Sequence, residues 1–233
     1  MRYYPLFLNL KGRPVVVVGG GAVAERKIAT LLKAGAAVTV ISPKLTPRLS
    51  RWKAGARIIA LRRFYRRGDL AGACLAFAAT DEPGVNAAVA REAEQKRIPF
   101  NRADQADDGF IVPAFFSKGG MIIAVSSGGK SPVLAKQVRD YLKERWTEED
   151  RHWLEILSRI KQVLMTKKLP SKRKKEILNR LAGSDAPTLY RRGRMRAAND
   201  LILKLSGLCA ADLTLPSIHR PKNGAATRQK GLR

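Results

Sequence analysis

The sequence predicts an α/β protein, a Rossmann-like doubly wound parallel sheet that gives way to a small helical domain. Three observations carry this prediction. Residues 15–18 are four consecutive valines that run straight into Gly19, Gly20 and Gly21, as in a buried parallel strand that ends in a tight turn. Apolar runs then alternate with amphipathic segments up to residue 101, in a β-α-β-α-β rhythm. From Thr147 onward the apolar side chains recur only at helical spacing.

The first thirteen residues have an apolar run too short for a secretion signal and no small-residue cleavage site, and they read as a first edge segment. The valine strand follows. Its glycine turn opens a helix that reaches Ala34 and closes at Gly35. Gly19, Gly21 and Ala24 form a G-x-G-x-x-A fingerprint, in which small residues let backbone amides approach a pyrophosphate at a helix N-terminus. Dinucleotide binding is therefore expected at this turn.

The second strand is residues 37–41. In an NAD fold it ends in an acid that bonds the ribose hydroxyls, but here Ser42, Pro43 and Lys44 follow. Serine still bonds a hydroxyl and lysine tolerates a 2′-phosphate, so the residues leave NAD and NADP both open. A short helix over 47–53, a strand over 57–61 and a strand over 74–79 come next. The last of these ends in Thr80 and Asp81, at the sheet edge where ligands bind; Asp81 as a cap on the helix over 83–96 is the simpler reading.

A short strand over 99–101 empties into a loop holding Asp104, Asp107 and Asp108. Acidic loops are usually solvated turns, though a carboxylate here suits a base or a metal. Residues 110–112 and 121–125 read as further strands. Residues 126–132, SSGGKSP, lack the glycine a phosphate-binding P-loop requires at position 124, which is Ala124. Ser131 and Pro132 then start a helix to about Trp146. Helices follow from Thr147, over 171–181 and over 187–205, giving a helical domain at 148–215. Residues 216–233 are basic and polar and are expected to be disordered.

The net charge is +26. Residues 1–113 hold 19 basic and 9 acidic side chains, and the remainder 26 and 10. Such a field draws polyanions, but the basic runs at 172–175 and 191–196 lack interleaved aromatics, so solvated helix faces are expected there and no nucleic-acid partner. Two isolated cysteines, Cys74 and Cys209, exclude a disulfide framework, a zinc finger and an iron–sulfur cluster. No apolar run spans a bilayer. A soluble, cytoplasmic protein without a bound metal is expected.

Taken together, YPLFLNLKGR, VVVVGGGAVAERK, AATD at 78–81, N-x-x-D at 101–104, FIVPAFF and AVSSGGKSP make the first 145 residues resemble the siroheme synthase N-terminal family. Its members are precorrin-2 dehydrogenases, some of which are also sirohydrochlorin ferrochelatases. The resemblance implies NAD-dependent oxidation of precorrin-2, a polycarboxylate tetrapyrrole, to sirohydrochlorin in siroheme or cobalamin biosynthesis. It also implies a homodimer formed through residues 114–147, behind a nucleotide-binding domain at 1–113.

Within that family's pattern Asp104 matches the catalytic aspartate, Gly21, Ala22, Val23, Pro43 and Lys44 fall where the family contacts the cofactor, and Ser127 falls on a serine at the mouth of the active site. The glycine turn and the strand ends add Gly19, Ser42, Thr80 and Asp81 to the expected cofactor side, and Asn101, Gly128 and Lys130 join Ser127 on the expected substrate side. The helical part fits the family loosely, and no methyltransferase domain is present, so the chain is not expected to make precorrin-2. His152 and His219 lie outside metal-ligand spacing, leaving iron insertion undecided. The alternative is a non-catalytic protein that binds a tetrapyrrole or NAD to regulate.

Overall fold

A computed structural model describes residues 2–105 and 109–213. Asp107, Asp108, His219 and the basic tail lie outside the described residues. The chain divides into two compact units, one formed by the residues up to Ala114 with Val125–Gln137, the other by Phe115–Ala124 with the residues from Val138.

The first unit is built on five parallel strands, β1 (Pro14–Val18), β2 (Ala37–Ile41), β3 (Ile59–Leu61), β4 (Leu75–Ala78) and β5 (Phe100–Arg102), in the order β3-β2-β1-β4-β5. Helices α1 (Ala22–Lys33), α2 (Pro47–Ala54) and α3 (Pro83–Gln95) connect them. Because successive side chains on a strand point to opposite faces, β1 feeds two cores. Val15 and Val17 pack with Ala24, Ile28 and Leu31 of α1 and with Leu49 and Trp52 of α2. Val16 and Val18 pack with Val89, Ala90 and Ala93 of α3. Both faces are covered, which explains why β1 reads as an unbroken apolar run rather than an alternation.

The strand order reverses between β1 and β4, so the carboxyl ends of these strands form the crevice in which such sheets bind ligands. The expected N-terminal edge segment is absent. Residues 3–13 form no strand; Lys11 and Gly12 make a turn, and the Gly12 amide bonds the Gly35 carbonyl at 2.8 Å.

The expected strand over 110–112 is also absent. Gly109 makes a single antiparallel bridge to Asn101, and the Phe110 amide bonds the Phe100 carbonyl at 2.9 Å. The Phe110 ring meets Phe77 edge-on at 5.3 Å. Pro113 follows, and pairing resumes beyond it in β6 (Ala114–Lys118), which forms a two-stranded sheet with β7 (Met121–Val125).

In the second unit α5 (Glu148–Thr166) begins with a capping box between Thr147 and Asp150. It packs with α6 (Ser171–Ala182), α7 (Ala186–Arg191) and α8 (Met195–Ser206) around Trp153, Ile156, Ile160, Leu181, Tyr190 and Ile202. The single helix expected over 187–205 is thus two. Gly193 adopts φ +71°, its amide bonds the Tyr190 carbonyl, and the Arg194 amide bonds the Leu189 carbonyl. That Schellman closure ends α7 before α8 can join it. The remaining helix, α4 (Pro132–Arg145), begins at the predicted proline.

Candidate functional site

The glycine turn after β1 owes its shape to close backbone approaches. A Cβ at Gly19, where φ is +124°, would lie 2.1 Å from the Ala79 carbonyl oxygen, and one at Gly20 would lie 2.0 Å from that of Lys44. Both residues are small because the ends of β1, β2 and β4 converge there. Gly21 differs: a Cβ on it would meet nothing within 4 Å. It is the N-cap of α1, it supplies no side chain to the first-turn amides, and it is exposed with Ala22 and Val23. The open N-terminus of a twelve-residue helix thus faces outward at the strand-order reversal, with amides and a partial positive charge suited to a phosphate.

At the end of β2 Ser42 is buried, and its hydroxyl donates to the Lys44 carbonyl at 2.7 Å. The proton expected to reach a ribose is committed to closing this turn. Pro43 and Lys44 are exposed. Behind them Thr46 caps α2 and donates to Glu25, which Arg48 also reaches.

The end of β4 is organised by Asn86, a residue sequence reasoning missed. It is 1% exposed, its amide nitrogen donates to the Thr80 carbonyl at 3.0 Å, and its oxygen accepts from the Thr80 amide and hydroxyl. The one signal for it is an asparagine in the first turn of α3 on a face otherwise made of Val and Ala. Asp81 is exposed, and the residue at the N-cap of α3 is Glu82, so Asp81 does not take the capping role.

Asp104 lies two residues beyond β5. Arg102 donates to its carboxylate through Nε at 3.2 Å and through a terminal nitrogen at 3.0 Å. These charge-assisted bonds, helped by Asn86, hold the Asp104 carboxyl below the usual carboxylate range against the smaller opposing effect of burial. The side chain is 28% exposed. Asp104 is therefore ionised throughout the neutral range and partly open to solvent.

Asn101 is turned inward. Its oxygen accepts from the Lys27 ammonium at 2.7 Å and its nitrogen donates to the Phe110 carbonyl at 2.8 Å, which ties the two ends of the Asp104 loop together. Lys27 lies over the Phe77 ring, and burial, followed by repulsion from Arg26, lowers its pKa.

Within the same unit, Ser127 accepts the Ser131 amide at 2.8 Å, and Gly128 and Gly129 adopt φ +64° and +90° with open space around them. Gly128 and Lys130 are exposed. Among the described residues, no cluster of three His, Cys, Asp or Glu side chains is placed to hold a metal ion, and no helix is long and apolar enough to cross a membrane.

Known proteins resemble this chain in sequence and in fold. Residues 6–114 match a family model described as "Putative NAD(P)-binding", and residues 118–145 match the sirohaem biosynthesis protein central region. Over residues 6–145 the chain belongs to the siroheme synthase N-terminal family.

The siroheme synthase of Methylobacillus flagellatus is 46% identical over 140 residues, covering 60% of this chain and 30% of that protein. That of Azotobacter vinelandii is 39% identical over 178 residues, covering 76% and 38%. The chain thus spans about a third of the length of these curated relatives. The solved structure of SirC, a precorrin-2 dehydrogenase, superposes with a TM-score of 0.71 at 28% identity, over 85% of this chain and 100% of that one. A match of that extent runs past residue 145 into the helical part.

Proposed function

We propose that this chain is a precorrin-2 dehydrogenase that oxidises its substrate to sirohydrochlorin with NAD, as a homodimer in the cytoplasm. The observation that carries the reading is Gly21. Among the described residues nothing crowds that position, yet it leaves a helix N-terminus bare at the strand-order reversal, on the sheet edge where β5 delivers Asp104. The amides of Ala22 and Val23 hold the cofactor's diphosphate, and Thr80, pinned by Asn86, shapes the wall of the crevice.

The bound nicotinamide accepts a hydride from the substrate. The oxidation also releases one proton, and Asp104 takes it on a carboxylate oxygen. The net charge of +26 draws a substrate rich in carboxylates, and Lys130 on its open loop is one anchor. The exposed apolar side chains Phe115, Ile122, Val133 and Leu134 support self-association. The two free cysteines fit a reducing cytoplasm.

Incubating the purified chain with precorrin-2 and NAD is expected to yield NADH and the sirohydrochlorin spectrum in equal amounts. Asp104→Ala should lower kcat by about 10²-fold or more, the range of a positioned general base, with NAD binding retained. Binding of both ligands without turnover would instead identify a regulatory protein.

A further inference from the structure

We infer that Lys27 is a positioning residue of the reaction: from the second turn of α1 it fixes, through Asn101, the loop that carries Asp104. The inference rests on the dehydrogenase reading given above and adds a residue to it.

The Lys27 ammonium donates to Asn101 Oδ1 at 2.7 Å and lies 5.3 Å from the centre of the Phe77 ring. Both partners are neutral. The carboxylates on either side are engaged elsewhere, Glu25 of the same helix with Thr46 and Arg48, and Asp104 with Arg102. A half-buried ammonium held by neutral groups loses hydration without an ion pair to offset the loss. An apolar side chain of the same length would serve stability better, so what the ammonium adds is a directional, charge-assisted bond.

That bond reaches the base of the Asp104 loop. Asn101 is 8% exposed, its Nδ2 donates to the Phe110 carbonyl at 2.8 Å, and its backbone bridges Gly109. A Cβ at Gly109 would lie 2.0 Å from the Phe100 carbonyl oxygen, so the chain returning from the loop runs directly against β5. Lys27 touches both parts of this closure, the Asn101 amide and the Phe77 ring against which Phe110 packs. One side chain thereby ties the helix that receives the diphosphate to the loop that carries the base. A displacement of about 1 Å at a reacting group can cost about 10²-fold in rate, even when its cause lies away from the chemistry.

Lys27→Met tests the role, because methionine keeps an unbranched stem against Phe77 and removes the donor. In the full chain supplied with precorrin-2 and NAD, kcat is expected to fall at least about tenfold, with KM for precorrin-2 and Kd for NAD within about threefold of the natural values. Hydrogen exchange followed by NMR, without substrate or cofactor, should show the Phe110 amide exchanging at least about fivefold faster. Asn101→Leu should also lower kcat, and adding Lys27→Met to it should lower kcat no further, because the two residues act through one bond.

A smaller loss of kcat in Lys27→Met, unchanged exchange at Phe110, or additive losses in the double variant overturns the inference while leaving the dehydrogenase reading intact. NAD binding weakened in step with kcat marks general damage to α1 and overturns it too. So does a raised KM with kcat intact in Asn101→Leu, which would assign that residue to the substrate. If the natural chain itself does not oxidise precorrin-2, the dehydrogenase reading fails and takes this one with it.

Discussion

Gly20 and Gly21 are neighbours of the same type, yet they are small for different reasons. Gly20 faces the Lys44 carbonyl, where any Cβ collides with backbone, whereas Gly21 faces open space with φ −85° and ψ −172°, a conformation open to every residue. Gly20→Ala should therefore fail to fold or melt far below the natural chain. Gly21→Ala should cost less than about 1 kcal/mol, the loss of an N-cap preference, yet weaken dinucleotide binding by about tenfold or more as its methyl obstructs the diphosphate. Thermal melts beside a titration check the contrast, and equal NAD affinity in Gly21→Ala would remove the turn from the site. The fingerprint made Gly19 and Gly21 legible in the sequence, because their spacing is a local pattern. Gly20 was legible as part of the glycine turn but its cause, the Lys44 carbonyl beyond the end of β2, was not, and Asn86 was not legible, since what constrains it is the turn after β4.

The segment between β3 and β4 shows how a single helical residue can hold an irregular stretch of chain. Glu92 on α3 is buried and accepts from the Tyr65 hydroxyl, from the Gly68 amide at 2.8 Å and from the Leu70 amide at 3.2 Å. Burial pushes the Glu92 carboxyl up, but these three donors together outweigh it and hold the pKa below the ordinary glutamate value. A depressed folded-state pKa stabilises the protein above the unfolded value, near pH 4.3, and this contribution fades as pH falls through the folded value. Glu92→Gln puts an amide nitrogen among donors and should cost about 2 kcal/mol at pH 7, whereas below about pH 4 the difference in melting temperature should narrow as the natural chain loses the same support. A difference that stays constant from pH 7 to pH 3.5 would count against the clamp. At this scale the regular elements were readable from periodicity, including α4 from its Ser131–Pro132 start. The misplaced strand at 110–112 and the fused helix at 187–205 were not, because Phe110 serves an aromatic contact with Phe77 and Gly193 ends a helix whose apolar periodicity continues beyond it.

At the scale of the whole molecule a charge of +26 and the exposed apolar side chains around α4 and the β6–β7 hairpin act in opposite directions. Like charges keep chains apart, more strongly at low salt, whereas apolar side chains in water favour association at about 25 cal/mol for each Å² covered. Val133 and Leu134 at the start of α4 are 66% and 54% exposed, and Phe115 and Ile122 on the hairpin are also open to solvent. The sequence placed self-association in this stretch only through family resemblance, since a strand or helix with one apolar face reads the same whether that face meets its own chain or a second copy. If the second copy is what covers these residues, sedimentation should give twice the 25.7 kDa chain mass. The dimer should tighten as salt rises from about 50 to 500 mM, because screening removes repulsion while the apolar contribution persists. Leu134→Glu should shift the population to monomer without lowering the melting temperature measured at high dilution, since the side chain is exposed within its own chain. A monomer at every salt concentration, or a dimer indifferent to Leu134→Glu, would mean that these apolar residues cover something other than a second copy.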